Sequence, residues 1–417
     1  MNKLIVEGGR RLEGRVRIPG AKNSILPILA ATIISGKKSV ITDCPRISDV
    51  EITLDILKDL GCSIIYEEDT LTVDSSEIIK DTIDSSLMEK MRSSIILTGA
   101  IIARMGKAKT AYPGGCSLGL RPIDLHIKAF GQMGIETKEE HGILSFYANE
   151  MQEADIYLDF PSVGATENIM LAASRLKGKT RIVNAAKEPE IEDLSDFLNK
   201  MGVKVTGAGG SVVEIEGADE FYDVTHKIIP DRIVAATCMT AAAVTKGDII
   251  LDNINYNHIF PVASVLERMG AVFYRESEAS LGIRVDKRLN NINVIRTSPH
   301  PGFPTDSQSI IMTLSALSSG TGIIIENIFD GRFRHAAELK KMGADITVDG
   351  KLAVIRGVMS LYGAKVTAPD LRSGAGLVVA ALGAKGKSEI YGVSHIERGY
   401  EDIAKTMNML GAKITKE

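Results

Sequence analysis

Cys116 stands within Tyr-Pro-Gly-Gly-Cys-Ser-Leu-Gly-Leu-Arg-Pro-Ile-Asp-Leu, the stretch Tyr112–Leu125, with Gly114, Gly115 and Gly119 around it and Arg121 five residues on. Glycines let a backbone move and approach a ligand closely, and a cationic neighbour favours a reactive sulfur. The other reading of such a cysteine is a small buried hydrophobe, and the local pattern leaves both open. A second set of charges falls where helices should begin: Pro-Gly-Ala-Lys22-Asn23-Ser, Met-Arg92-Ser-Ser, Pro-Asp-Arg232-Ile and Pro-Asp370-Leu371-Arg372-Ser. A helix N-terminus presents free amides and a partial positive charge, so a Lys or Arg there opposes the dipole unless an anion is expected. Phosphate or carboxylate is the expected guest; a solvated basic residue is the plainer alternative. Pro304-Thr305-Asp306-Ser307 breaks the set with an acid. Taken alone Asp306 reads as an N-cap, whereas among cations facing a cleft it would stay ionised and could act as a base.

Loops between strand and helix add Arg121, Asp124, Glu188, Glu190, Arg332, Arg334, Glu397 and Arg398. Together the cations imply a small, highly charged ligand. There is no dinucleotide glycine fingerprint, Walker loop, His-Glu-x-x-His or Cys-x-x-Cys, so neither a cofactor nor a metal is expected. His126, after the glycine loop, reads as a polar lining residue.

The elements that must hold these residues repeat. The phrases LKDLGCSI, AFGQMGIE, LNKMGVKV, LERMGAVF, LKKMGADI and MNMLGAKI place glycines at Gly61, Gly134, Gly202, Gly270, Gly343 and Gly411, with gaps of 73, 68, 68, 73 and 68. The chain therefore reads as two halves of three units. In each copy the glycine ends an amphipathic helix, where a left-handed residue is wanted, and a β-rich run follows. A more apolar helix precedes each, as in SILPILAATIIS, RSSIILTGAIIARM, RIVAATCMTAAAV and SGAGLVVAALGAK, and passes into a short strand. The expected fold is α/β (α+β): a two-domain, inside-out α/β barrel, each domain three βαβαββ repeats with helices buried inside the sheets. The sixth unit ends after AKITKE with one hairpin strand, and LIVEGG at residues 4–9 resembles the missing one. Domain one is thus expected over 22–229, and domain two over 230–417 plus 1–21, with a hinge and a ligand cleft where the chain crosses.

The repeats also act as controls. Cys62 follows its repeat glycine where other copies carry Ile135, Val203, Ala271, Ala344 and Ala412, so it fills core; Cys238 lies in an Ala-rich helix, and nothing basic or flexible surrounds Cys44. The loop of Cys116 is enlarged by its glycines, and this favours the reactive thiol.

The 417 residues exceed one core, and 44% apolar with 24% charged residues marks a folded protein. A formal net charge of -4 removes the footprint of a general nucleic-acid binder. Four irregularly spaced cysteines suit a reducing cytoplasm, the charged N-terminus does not read as a secretory signal, and no apolar run approaches the roughly 20 residues of a membrane span. Two self-closing halves suggest a monomer.

Pro113-Gly114-Gly115-Cys116-Ser117-Leu118-Gly119-Leu120-Arg121-Pro122, with Lys22-Asn23 and Asp370-Leu371-Arg372, resembles the enolpyruvyl transferases across the whole chain. The cysteine loop resembles the branch acting on UDP-N-acetylglucosamine rather than the one acting on shikimate 3-phosphate. The resemblance implies transfer of the enolpyruvyl group of phosphoenolpyruvate to the sugar 3-hydroxyl with release of phosphate, the first committed step of peptidoglycan synthesis. It implies Cys116 as general acid, open to alkylation by fosfomycin and able to trap phosphoenolpyruvate, and Asp306 as base. Lys22, Asn23, Arg92, Arg121, Arg332, Asp370, Leu371, Arg372 and Arg398 would surround phosphoenolpyruvate, with Lys22 and Arg398 sharing in catalysis. Asn23, Arg92, Arg121, Pro122, Ile123, Asp124, Leu125, Ser162, Val163, Gly164, Asp306 and Ile328 would hold the nucleotide sugar, beneath a lid formed by the Gly114–Gly119 loop. Pro161 departs from the family, some members of which carry a Lys there. A different acceptor, such as shikimate 3-phosphate, and a silent nucleotide-sugar-binding paralogue are the alternatives; intact Lys22, Cys116, Asp306 and Arg398 speak against the second.

Overall fold

The computed structural model describes residues 2–112, 114 and 123–417, with Arg92 described by its backbone alone. Six helices with little polar surface form the interior: Lys22–Ser35, Leu97–Met105 and Val163–Ala173 in one half, Arg232–Thr245, Gln308–Leu317 and Leu371–Gly383 in the other. Within each half the three helices touch one another. Their composition explains this. From Ser24 to Ser35 every residue of the first helix is buried, so no face remains for water. Each fully buried Ile or Leu there contributes roughly 1.5–3 kcal/mol.

Sheets enclose the helices. Among the described residues, one half carries two four-stranded sheets and one three-stranded sheet, the other half three four-stranded sheets. Strands such as Thr70–Asp74 and Leu352–Arg356 alternate buried with more exposed residues, setting one face on the helices and the other toward water. Among the described residues, five of the six sheets carry a parallel edge strand: in three it is the strand leading into the buried helix of the same repeat, as with Asp155–Tyr157 beside Lys179–Val183, and in two it comes from elsewhere in the chain, Val224–Lys227 beside Lys38–Thr42 and Glu13–Arg17 beside Asp248–Asp252. In the sixth, this strand is reduced to one bridge, Thr82 to Lys109. The N-terminal strand Leu4–Glu7 runs antiparallel between Lys387–Tyr391 and Ile414–Lys416, where other copies place the second hairpin strand.

All six repeat glycines have positive φ, from 77° at Gly134 to 112° at Gly61 and Gly202. Side chains rarely adopt that backbone, which is why the phrase keeps its glycine. The apolar run at Arg92 departs from the expected single helix: Arg92–Ile96 is a 3-10 turn and the α-helix starts at Leu97. Asp306 likewise sits in a 3-10 turn, Thr305–Ser307, ahead of Gln308–Leu317. The chain separates into two compact units, dividing between Pro19 and Gly20 and between Ile229 and Pro230. At the first of these boundaries only glycine fits, since a Cβ on Gly20 would lie 1.9 Å from the carbonyl oxygen of Asp43.

Candidate active site

In the unit containing Pro230–Glu417, helix starts bring the predicted charges together. Asp306 does not occupy the cap position of either element: Pro304 precedes the turn and Ser307 the helix, and neither makes a side-chain cap bond. Its Oδ1 accepts from Arg332 Nη2 at 2.8 Å and its Oδ2 from Arg372 Nη2 at 3.0 Å. Arg332 and Arg372 are buried, with side chains 3% and 6% exposed against 24% for Asp306. Burial alone would raise the Asp306 carboxyl, but Arg372, Arg332 and Arg232 outweigh it and hold it well below the usual carboxylate range. The same pairing outweighs burial for Arg372 and raises its guanidinium. Three cations thus act on one carboxylate. Among the described residues, Arg332 Nε and Arg372 Nη1 are buried donors with no protein acceptor. Since buried polar groups are normally satisfied, such donors suit an anion.

Asp370 is an N-cap. Its Oδ1 accepts from the backbone nitrogens of Arg372 and Ser373, both at 3.0 Å, which fixes the start of the helix carrying Leu371 and Arg372. Its Oδ2 accepts from Ser373 Oγ at 2.6 Å, and that hydroxyl lies 3.4 Å from His335 Nδ1. Arg398 is half-buried just after the short helix Val393–Ile396, and Ile328 is half-buried between Thr321–Ile325 and His335–Lys341.

Burial, only partly offset by Asp370 and reinforced by Arg332, pushes the His335 imidazole down to about 4. The unfolded chain, near 6.5, then takes up the proton first as pH falls, so stability present above about pH 6.5 is lost toward pH 4. Urea unfolding at pH 7 and pH 5 should give a loss of about 2 kcal/mol in the wild type that is missing in His335→Gln. An equal loss in both proteins would contradict this assignment.

In the other unit, Lys22 opens its helix with Nζ 2.7 Å from Asp49 Oδ2; the side chains are 12% and 1% exposed. An internal carboxylate thus meets part of the charge that the sequence leaves to a ligand. Asn23, beside Lys22, is half-buried. Ser162 caps Val163–Ala173, accepting from Ala165 N at 3.3 Å. Ile123 is buried just ahead of the helix opened by exposed Asp124 and half-buried Leu125. These two helix starts adjoin: Asn168 Nδ2 lies 2.9 Å from His126 Nδ1, and a Cβ on Gly164 would come within 3.5 Å of the His126 ring. Ile123–Leu125 and Val163–Gly164 therefore line neighbouring backbone. Glu167, also on this helix, is 2% exposed; burial, then Glu190 and Glu188, push its carboxyl well above the usual range.

Cys116, Arg121, Pro122 and most of the proposed lid lie outside the described residues, as does the Arg92 side chain. Cys44, Cys62 and Cys238 are buried, and burial pushes the thiols of Cys62 and Cys238 up to about 12, as core fillers require. Sequence reasoning gave no role to Asp49, Asn168, Ser373 or Glu326. Asp49 looks like an ordinary first-turn acid, and only the pairing of its helix with that of Lys22 could have found it. Among the described residues no helix is long and apolar enough to cross a membrane.

Buried helices enclosed by sheets, with charged side chains gathered at helix starts, define a two-unit α/β protein. Residues 6–407 match the family described as EPSP synthase (3-phosphoshikimate 1-carboxyvinyltransferase). The chain is 47% identical over its full length to the full length of UDP-N-acetylglucosamine 1-carboxyvinyltransferase 2 of Caldanaerobacter subterraneus subsp. tengcongensis. It is 44% identical, again over the whole of both chains, to the UDP-N-acetylglucosamine 1-carboxyvinyltransferase of Halothermothrix orenii. Among solved structures, the enolpyruvyl transferase NikO from Streptomyces tendae shares the fold with a TM-score of 0.90 at 24% identity, covering 100% of this chain and 98% of that one. The EPSP synthase of Acinetobacter baumannii does so with a TM-score of 0.77 at 18% identity, covering 100% of both. The chain belongs to the UDP-N-acetylglucosamine 1-carboxyvinyltransferase family.

Proposed function

We propose that this protein transfers the enolpyruvyl group of phosphoenolpyruvate to the 3-hydroxyl of UDP-N-acetylglucosamine, releasing phosphate, as the first committed step of peptidoglycan synthesis in the cytoplasm. The observation that carries this reading is the full-length likeness, at 43–47% identity, to relatives bearing that name. The protein acts as a monomer on these two small molecules.

The chemistry has two stages. In addition, the sugar oxygen bonds to C2 of phosphoenolpyruvate while its hydroxyl proton leaves to Asp306, and Cys116 delivers a proton to the methylene carbon, which becomes a methyl group. In elimination, the Cys116 thiolate takes a proton back from that methyl group as the C2–O bond to phosphate breaks, and the proton held by Asp306 passes to the departing phosphate, restoring the carboxylate. Preorganised cations steady the charge that develops. Arg332 and Arg372 serve this directly, since each pairs with Asp306 through Nη2 and keeps a further buried donor without a protein acceptor, suited to an anion. As an anionic substrate draws on these guanidiniums, their hold on the Asp306 carboxylate weakens and its basicity rises. Lys22, Arg92, Arg121 and Arg398 complete the cationic surroundings of phosphoenolpyruvate. Asp370 acts through the helix start that it caps, and Asn23, Pro122, Ile123, Asp124, Leu125, Ser162, Val163, Gly164 and Ile328 hold the nucleotide sugar.

The assignment of Cys116 has its own test. Cys116→Ser should lower phosphate release by about 10²–10⁴-fold, the usual value of a positioned acid, with nucleotide-sugar binding by calorimetry retained. Prior alkylation with fosfomycin should abolish turnover in the wild type and leave the residual rate of Cys116→Ser unchanged. Full activity in Cys116→Ser would remove the thiol from the mechanism.

A further inference from the structure

Glu326 directly follows the strand Thr321–Ile325 and is 1% exposed, yet its carboxylate holds four hydrogen bonds. Oε1 accepts from the Ile328 backbone nitrogen at 2.8 Å, from the Phe329 backbone nitrogen at 3.1 Å and from Thr297 Oγ1 at 2.9 Å. Oε2 accepts from Thr305 Oγ1 at 2.9 Å. Thr305 is the residue before Asp306 and opens the same 3-10 turn. The Thr305 carbonyl in turn accepts from Arg332 Nη2 at 3.3 Å, the nitrogen that also reaches Asp306. One buried carboxylate therefore joins the turn carrying Asp306, the loop carrying Ile328 and the approach to Arg332.

A buried carboxylate is costly unless its lone pairs are occupied, and here both oxygens are. A fold needing only to end a strand could use an apolar side chain; this arrangement fixes two loops relative to each other. From this geometry we infer that Glu326 is a positioning residue for the reaction, setting Asp306 against the acceptor hydroxyl through Thr305 while shaping the acceptor loop through the Ile328 and Phe329 amides. The inference rests on the proposed role of Asp306 as base. Outer groups of this kind set the geometry of reacting ones, and small displacements cost much rate.

The test compares Thr305→Val, Glu326→Gln and Glu326→Ala with the wild type in nucleotide-sugar-dependent phosphate release. Thr305→Val removes only the link to Oε2 and should lower kcat about 10-fold or more, with KM for the nucleotide sugar within about twofold. Glu326→Ala frees both loops and should lower kcat about 100-fold and raise that KM as well. Glu326→Gln should recover most of the kcat, because its carbonyl oxygen still accepts from the three Oε1 donors and its amide can donate to Thr305 Oγ1. A folded Thr305→Val with wild-type kcat would overturn the inference, whether or not Glu326→Ala folds. Glu326→Gln as damaged as Glu326→Ala would also overturn it, since the charge rather than the positioning would then be at work. Absence of turnover in the wild type would remove the proposed reaction and this inference together, an outcome visible in the wild-type arm alone.

Discussion

Asp306→Asn is expected to lower kcat by about 10³-fold, within the range of a lost general base, while the protein still binds the nucleotide sugar. The physical basis is the double pairing of this carboxylate with Arg332 and Arg372. An amide keeps the shape but offers one acceptor oxygen and cannot take up the hydroxyl proton. Both buried guanidiniums then lose the anion, and one of them its acceptor as well; removing one partner of a buried ion pair costs about 3 kcal/mol or more. Two readouts separate the effects. Thermal unfolding reports the lost pairing, and kcat measured well below the melting temperature reports the lost base. A variant with normal turnover would assign Asp306 to structure alone.

Arg372→Met should act differently. The loss of a buried charge-assisted donor is worth up to about 3 kcal/mol, so KM for phosphoenolpyruvate should rise about 100-fold. Asp306 would keep Arg332 but lose the largest of the attractions that lower its carboxyl. Its pKa therefore rises, and because the base must be deprotonated to act, the acid limb of the kcat profile should move to higher pH. An increase in KM with an unmoved acid limb would mean that Arg372 serves the anion without tuning Asp306. An unchanged KM would count against the anion site itself.

Sequence alone carried far because the fold is a repeat. Gly61 and its five counterparts mark helix ends whose positive φ admits little else, so the repeat phrase fixes the pitch of the structure. The likeness of LIVEGG to a hairpin strand was equally readable, and that segment pairs with Ile414–Lys416. The cations at helix starts announced themselves because Lys22 and Arg372 sit where the helix dipole disfavours them. What answers those charges was less legible. Asp49 and Glu326 are acids of ordinary local appearance, and their roles depend on packing between elements distant in sequence: Asp49 lies 27 residues from Lys22, and Glu326 lies 21 from Thr305. Asp306 showed the opposite limit. Its position suited an N-cap, but two buried arginines from elsewhere claim its carboxylate.

The choice of acceptor is decided by measuring phosphate release from phosphoenolpyruvate with UDP-N-acetylglucosamine and with shikimate 3-phosphate side by side, identifying each product by mass spectrometry. Release is expected with the nucleotide sugar alone, matched mole for mole by its enolpyruvyl ether. Release with shikimate 3-phosphate, or tight binding of the nucleotide sugar without any release, would contradict it.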